Sequence, residues 1–246
     1  IRSMPMQDHG GKPGLWDATT NDWTLGPDLD PFLFLRYAKE MVSGNFQSMD
    51  MLRNVPLGFD TSTELQMVSY MIVLTHKIIN FFGYESVNLA GAVMPVIFFA
   101  LIIIIFFLFV REVFSRKDAE NKNRKANIIA LISTFFMIII PVFLSRTVAG
   151  IPEKESIGFF FMFLAFYLFL KAWKTEKLRG ALILGVLAGI ATALMGLSWG
   201  GVSYAYVTVA ISSFVAFILN KVHKKEFVLY GAWLIVALTT TLIFTN

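Results

Sequence analysis

The chain has 246 residues, of which 56% are apolar and only 15% charged, a balance that a soluble domain of this length has too little polar surface to carry, so lipid is the solvent for most of it. Twenty-five Phe against eight Pro, with no alternating polar and apolar dyads, exclude a membrane barrel and predict an all-α, polytopic membrane protein. The absence of Cys excludes disulfides and thiolate chemistry. The net charge of +4 does not indicate nucleic acid, because the basic residues lie in short loops between apolar segments.

In chain order, residues 1–86 read as one external region, and residues 87–246 as a membrane domain. The first 65 residues hold nine carboxylates against five Lys and Arg, a balance that fits an outside segment. Within them the run Gly26-Pro27-Asp28-Leu29-Asp30-Pro31 is acidic. Taken alone, Asp30 followed by Pro31 is an N-cap with proline at the first helical position. The stretch 66–82 places Gln66, Ser69, His76, Lys77 and Asn80 on one side of a helix and Met67, Ile72, Ile78, Ile79 and Phe82 on the rest, which predicts a helix along the membrane surface. An ordinary span carrying a few polar residues is the other reading.

A spanning helix needs roughly 20 apolar residues, and six stretches qualify, at about 87–110, 127–144, 156–172, 180–197, 202–219 and 227–244. The loop from Arg111 to Lys125 carries six basic residues against Glu112, Asp118 and Glu120, and further clusters are Lys171, Lys174, Lys177 and Arg179, then Lys221, Lys224 and Lys225. These three loops are inside by the positive-inside rule. The loops at about 145–155 and 198–201 then face outward. Pro141 predicts a kink or an early end of its helix. Ala181, Gly185, Gly189 and Ala193 recur every four residues and predict close approach of another helix.

On the external face, acids stand near the membrane in the run around Asp30 and in the loop Ser145-Arg146-Thr147-Val148-Ala149-Gly150-Ile151-Pro152-Glu153-Lys154-Glu155. Each has a plain reading as a helix start, since acids favour the N-terminal dipole. Together, carboxylates converging from two loops form a hard-oxygen site suited to Mg²⁺ or Mn²⁺. His9, His76 and His223 stand apart from any second ligand at zinc spacing, and no Ser-His-Asp arrangement is present.

These residues resemble the catalytic subunit of oligosaccharyltransferase, especially its archaeal form. Asp30-Pro31-Phe32-Leu33-Phe34-Leu35-Arg36-Tyr37-Ala38 is similar to that family's first external loop motif. Ser145-Arg146-Thr147-Val148-Ala149-Gly150 with Glu153-Lys154-Glu155 is similar to its second, where two acids are separated by one residue. Ser198-Trp199-Gly200-Gly201 resembles the short motif of the third. The family usually has Asp where Glu153 stands, so this ligand is one methylene longer. The resemblance covers nearly the whole chain and implies a GT-C-type architecture. It also implies that the chain is an amino-terminal membrane fragment: it starts at Ile1 without a preceding span, and the family's later catalytic loop and carboxy-terminal domain lie beyond it. On its own the fragment is expected to be catalytically incomplete.

The resemblance further implies transfer of an oligosaccharide from a lipid-linked phosphate or pyrophosphate to Asn in an acceptor polypeptide bearing Asn-x-Ser/Thr, on the outer face of an archaeal cell membrane. Asp30 and Glu153 are the implied catalytic acids, Asp30, Glu153 and Glu155 the implied ligands of Mg²⁺ or Mn²⁺, and Asp30 also an acceptor of the substrate amide. Arg146 is a candidate anion contact, with pairing to Glu153 or Glu155, or snorkelling to lipid headgroups, as its other readings. Two alternatives stand beside this one. A related glycosyltransferase with a lipid-monophosphate donor would use an external acid as general base without a metal. A transporter or channel scaffold would place ionisable residues at mid-membrane, and these spans are almost free of charge.

Overall fold

The computed structural model describes residues 1–8, 10–11, 14–115 and 120–245; His9 and residues 116–119 of the first basic loop, Asp118 among them, lie outside the described residues. Nine α-helices are present among the described residues: α1 (Leu29–Ser43), α2 (Met67–Phe81), α3 (Val87–Phe114), α4 (Glu120–Ile139), α5 (Pro141–Ser145), α6 (Lys154–Lys174), α7 (Leu178–Ser198), α8 (Val202–Ile218) and α9 (Lys224–Thr245). Two short antiparallel hairpins accompany them. One pairs β1 (Trp16–Asp17) with β2 (Asp22–Trp23), and the other pairs β3 (Met49–Asp50) with β4 (Phe59–Asp60). The all-α, polytopic expectation therefore holds.

By length and composition, α3, α6, α7 and residues Lys224–Phe244 of α9 are able to cross a membrane. Of the other two expected spans, α8 is apolar but 17 residues long. The second is interrupted: α4 opens on the polar sequence Glu120-Asn121-Lys122-Asn123-Arg124-Lys125, ends at Ile139, and the apolar stretch resumes in α5. The break has a local cause at Pro141, which lacks an N–H and fits the first residue of a new helix better than the interior of an old one.

The chain divides into two compact units, Ile1–Phe99 with Pro141–Ile157, and Ala100–Ile140 with Gly158–Asn246. In the second unit, Trp233 of α9 is the centre of packing. Its indole Nε1 donates to Thr192 Oγ1 of α7 at 3.0 Å, and its ring meets Phe169 of α6 at 5.6 Å and Tyr206 of α8 at 5.7 Å. The small-residue stripe of α7 makes this possible. A Cβ on Gly189 would lie 2.8 Å from the Trp233 carbonyl oxygen and 2.9 Å from Val236 Cβ, and one on Gly185 would collide with Leu229. Gly189→Ala is therefore expected to force α9 away from α7 and cost about 1–3 kcal/mol by overpacking. Gly200→Ala meets nothing within 4 Å and serves as the control; equal thermal midpoints for the two variants in detergent would remove this account of the stripe.

Basic residues at the loops between these helices also cap helix ends. Lys174 Nζ donates to the carbonyls of Glu112 and Ser115 at the end of α3, and Lys225 Nζ donates to those of Trp173 (3.0 Å) and Thr175 (2.8 Å) at the end of α6. A cation at a helix C-terminus satisfies free carbonyls and complements the dipole. At the opposite end of α7, Trp199 fills a three-residue turn into α8; its ring stacks near Phe159 (5.4 Å) and Tyr204 (6.0 Å).

The first unit packs α1 against α2. Phe34, Tyr37 and Ala38 of α1 are buried, as are Val68, Ser69, Ile72 and Thr75 of α2. The faces of α2 thus differ from the expected division. Ser69 belongs to the inward face with its Oγ unpartnered, while Tyr70, Leu74, Ile78 and Phe81 form an exposed apolar stripe beside Lys77. The reason is that α1 offers α2 a partner, so part of the polar side turns inward. The β1–β2 hairpin is held to the start of α3 by Asp22, which accepts from Ser86 Oγ (2.6 Å) and Asn88 Nδ2 (2.8 Å).

Candidate functional site

The expected site residues all lie in the first unit. Asp28, with extended backbone angles, is the N-cap of α1, although its side chain makes no capping bond. Asp30 is the second residue of α1 and Pro31 the third, so the N-cap expected at Asp30 lies two residues earlier, at Asp28. Proline is tolerated there because the first helical N–H groups have no intrahelical acceptor. Asp30 is exposed.

The second loop runs from α5 to α6 and is tied at several points. Gly150 N donates to the Ala92 carbonyl of α3 at 2.9 Å, and the Gly150 carbonyl accepts from Gly26 N at 2.8 Å. This last bond joins the two acid-bearing loops directly. Gly150 has φ +85°, and a Cβ there would lie 2.5 Å from Leu15 Cδ1 and 3.0 Å from Gly26 N, so glycine is required on both counts. Arg2 adds a third tie: its Nε donates to Thr147 Oγ1 at 2.9 Å, its carbonyl accepts from Ala149 N at 2.9 Å, and its guanidinium lies over the Phe99 ring at 4.5 Å.

Glu153 precedes α6 and is buried, 5% exposed. Arg146 NH1 donates to its Oε1 at 3.2 Å and lies 3.9 Å from Asp28 Oδ2. Burial pushes the Glu153 carboxyl up to about 7. The negative charges of Glu155 and Asp28 and a hydrogen bond shared with Asp28 add to the rise, and Arg146 opposes it. Burial first, and neighbouring negative charge second, disfavour the ionised form of this carboxyl. The structure thus brings Asp28, Arg146 and Glu153 together, with Glu155 near enough to repel. Of the readings of Arg146, pairing with Glu153 is the one the geometry displays. No group of three His, Asp or Glu side chains is poised to hold a metal among the described residues.

The donor chemistry nevertheless fits a hard divalent cation. Every candidate ligand is a carboxylate, and the negative charges of Glu155 and Asp28, which add to the effect of burial on Glu153, are charges a cation would offset. Asp28, Arg2 and the pair Glu64–Lys154 were not singled out from sequence. For Asp28 a signal exists: Asp28-Leu29-Asp30 and Glu153-Lys154-Glu155 share one acid-x-acid spacing.

The family described as oligosaccharyl transferase STT3, N-terminal, matches residues 19–246. The chain belongs to this family. A curated relative, dolichyl-phosphooligosaccharide-protein glycotransferase 2 of Archaeoglobus fulgidus, is 27% identical over 189 residues, 76% of this chain and 28% of that protein. The crystal structure of the Archaeoglobus fulgidus oligosaccharyltransferase in complex with Zn and sulfate matches with a TM-score of 0.72 at 25% identity, over 90% of this chain and 28% of that one. The archaeal oligosaccharyltransferase AglB of the same organism, in complex with an inhibitory peptide and a dolichol-phosphate, shares the fold with a TM-score of 0.66 at 23% identity, over 91% and 26%. The chain therefore spans under a third of these relatives. STT3-family relatives are glycosyltransferases, and the GT-C-type, multi-pass membrane architecture expected from the sequence is the one they have.

Proposed function

We propose that this chain forms the amino-terminal membrane part of an oligosaccharyltransferase that moves an oligosaccharide from a lipid-linked phosphate or pyrophosphate to the side-chain amide of Asn in Asn-x-Ser/Thr acceptors. The observation that carries the reading is the buried Glu153, which shares Arg146 with Asp28 from the other external loop. Family membership supplies the reaction class.

The reaction has two difficulties: the amide nitrogen is a poor nucleophile, and the leaving group departs with negative charge. Asp30, exposed at the first turn of α1, accepts a hydrogen bond from the acceptor amide and orients it. Glu153, Glu155 and Asp30, with Asp28 as a further donor, would hold Mg²⁺ or Mn²⁺, and the ion supplies neutralisation of charge on the departing phosphate. Arg146, 40% exposed at its side chain, is placed to offer its remaining donors to a phosphate oxygen. In this reading residues 1–86 lie outside with α2 on the membrane surface, and these groups face the outer side of an archaeal cell membrane; α3, α6, α7 and α9 are the helices of spanning length. The exposed apolar stripe of α2 supports its interfacial placement.

The test uses the full-length protein in nanodiscs with a lipid-linked glycan and an Asn-containing peptide. Chelation of divalent ions is expected to abolish transfer, and added Mn²⁺ or Mg²⁺ to restore it. Transfer that survives chelation would favour the metal-free, general-base alternative instead.

A further inference from the structure

Between the two acids of the second loop stands Lys154, the first residue of α6. Its Nζ donates to Glu64 Oε1 at 2.9 Å and lies 5.3 Å from the centre of the buried Phe34 ring. Glu64 is held from its other oxygen by Arg53, whose NH1 and NH2 approach Oε2 at 3.4 Å. Arg53 in turn donates to the Tyr37 hydroxyl at 3.1 Å and lies over the Phe59 ring at 3.8 Å. Glu64, 90 residues away in sequence, and Phe34 therefore receive the Lys154 ammonium, and Arg53 with Tyr37 steadies Glu64 from behind.

Glu153 and Glu155 flank this lysine, so an anchor on Lys154 restricts the backbone from which both acids project. Resting on the function proposed above, we infer that Lys154 is a positioning residue: its ion pair with Glu64 fixes the start of α6 and so limits the backbone freedom that Glu153 and Glu155 lose on meeting the cation. Lys154 touches neither substrate nor ion in this role.

The role differs from the obvious one for a lysine near a phosphate-departure site, which is direct contact with the donor. Glu64 separates the two. Glu64→Gln leaves Lys154 in place but removes its anchor, so it acts on the acid pair only if Lys154 works by position.

The experiment compares Lys154→Gln, Glu64→Gln, the double variant and Lys154→Arg in the full-length protein. The readouts are Mn²⁺ binding by electron paramagnetic resonance, transfer rate at saturating Mn²⁺, and thermal midpoint. Each single variant is expected to weaken Mn²⁺ binding about tenfold, as loss of a group orienting a ligand does. The double variant should be no weaker than the singles, and Lys154→Arg should restore binding to within about threefold of wild type. Transfer at saturating Mn²⁺ should change little. Unchanged Mn²⁺ affinity in Glu64→Gln, or additive losses in the double variant, overturns the proposal. A wild type that transfers glycan but binds no Mn²⁺ also overturns it, whereas a wild type with no transfer at all removes the functional reading beneath it.

Discussion

Asp30→Ala and Glu153→Gln, each in the full-length protein, are expected to lower ion-dependent glycan transfer by about a hundred- to a thousand-fold, the scale seen when one electrostatic stabiliser is removed from a reacting centre. The two variants differ in a useful way. Asp30 is exposed on the first turn of α1, so its removal costs the fold only the interaction of an acid with a helix N-terminus, about 0.3–1 kcal/mol. Loss of transfer in Asp30→Ala at a nearly unchanged thermal midpoint thus assigns Asp30 to chemistry. Glu153 is buried against Arg146 and Asp28; Gln keeps its shape and an acceptor for Arg146 while removing its charge. If transfer persists in both variants, the acids are helix starts, and the proposed mechanism is lost.

The largest effect on stability is expected at Asp50. Its carboxylate takes two bonds from Arg36, one from the Tyr37 hydroxyl at 2.9 Å and one from Leu52 N at 3.0 Å, with a side-chain exposure of 4%. Asp50→Ala leaves Arg36 with Glu40 alone and removes the acceptor of the buried Tyr37 hydroxyl proton, although Arg53 still donates to that oxygen, at a cost of about 3 kcal/mol. The pH dependence has a definite sign. The hydrogen bonds from Arg36, foremost, hold the Asp50 carboxyl down at about 2, whereas an unfolded Asp titrates near ~3.9. The charged form is thus favoured by folding, and its stabilisation is complete above about pH 5, then fades as pH falls toward 2. Asp50→Asn should lie below wild type at pH 6 and converge with it near pH 2 in detergent melts. Parallel curves would assign the acid sensitivity to other groups.

The parts of this fold that were legible in the sequence are those fixed by solvent and period. Long apolar runs announced α3, α6, α7 and α9, and the four-residue recurrence of Ala181, Gly185, Gly189 and Ala193 announced the approach of a helix, though not that the partner would be α9. Pro141 marked the break before α5 for a purely local reason. The inward turn of Ser69 was not legible, because it depends on α1 being present to receive it. At the site, the sequence offered acids in two loops, yet the choice of Asp28 as the neighbour of Glu153 follows from the Gly26–Gly150 bond. Glu64 and Lys154 were hidden for the same reason: a lone acid and a lone lysine far apart in sequence carry no shared pattern until the chain is folded.

The bond between Gly26 and Gly150 also orders events in time. Its two ends are about 120 residues apart, and at synthesis rates of 5–20 residues per second the second emerges roughly 6–25 s after the first. Throughout that interval the Asp28–Asp30 run waits without its counterpart while α3 and α4 are being made. The acids are thus kept apart until the chain between them has been laid down, and the site comes into being late, as a product of completed insertion.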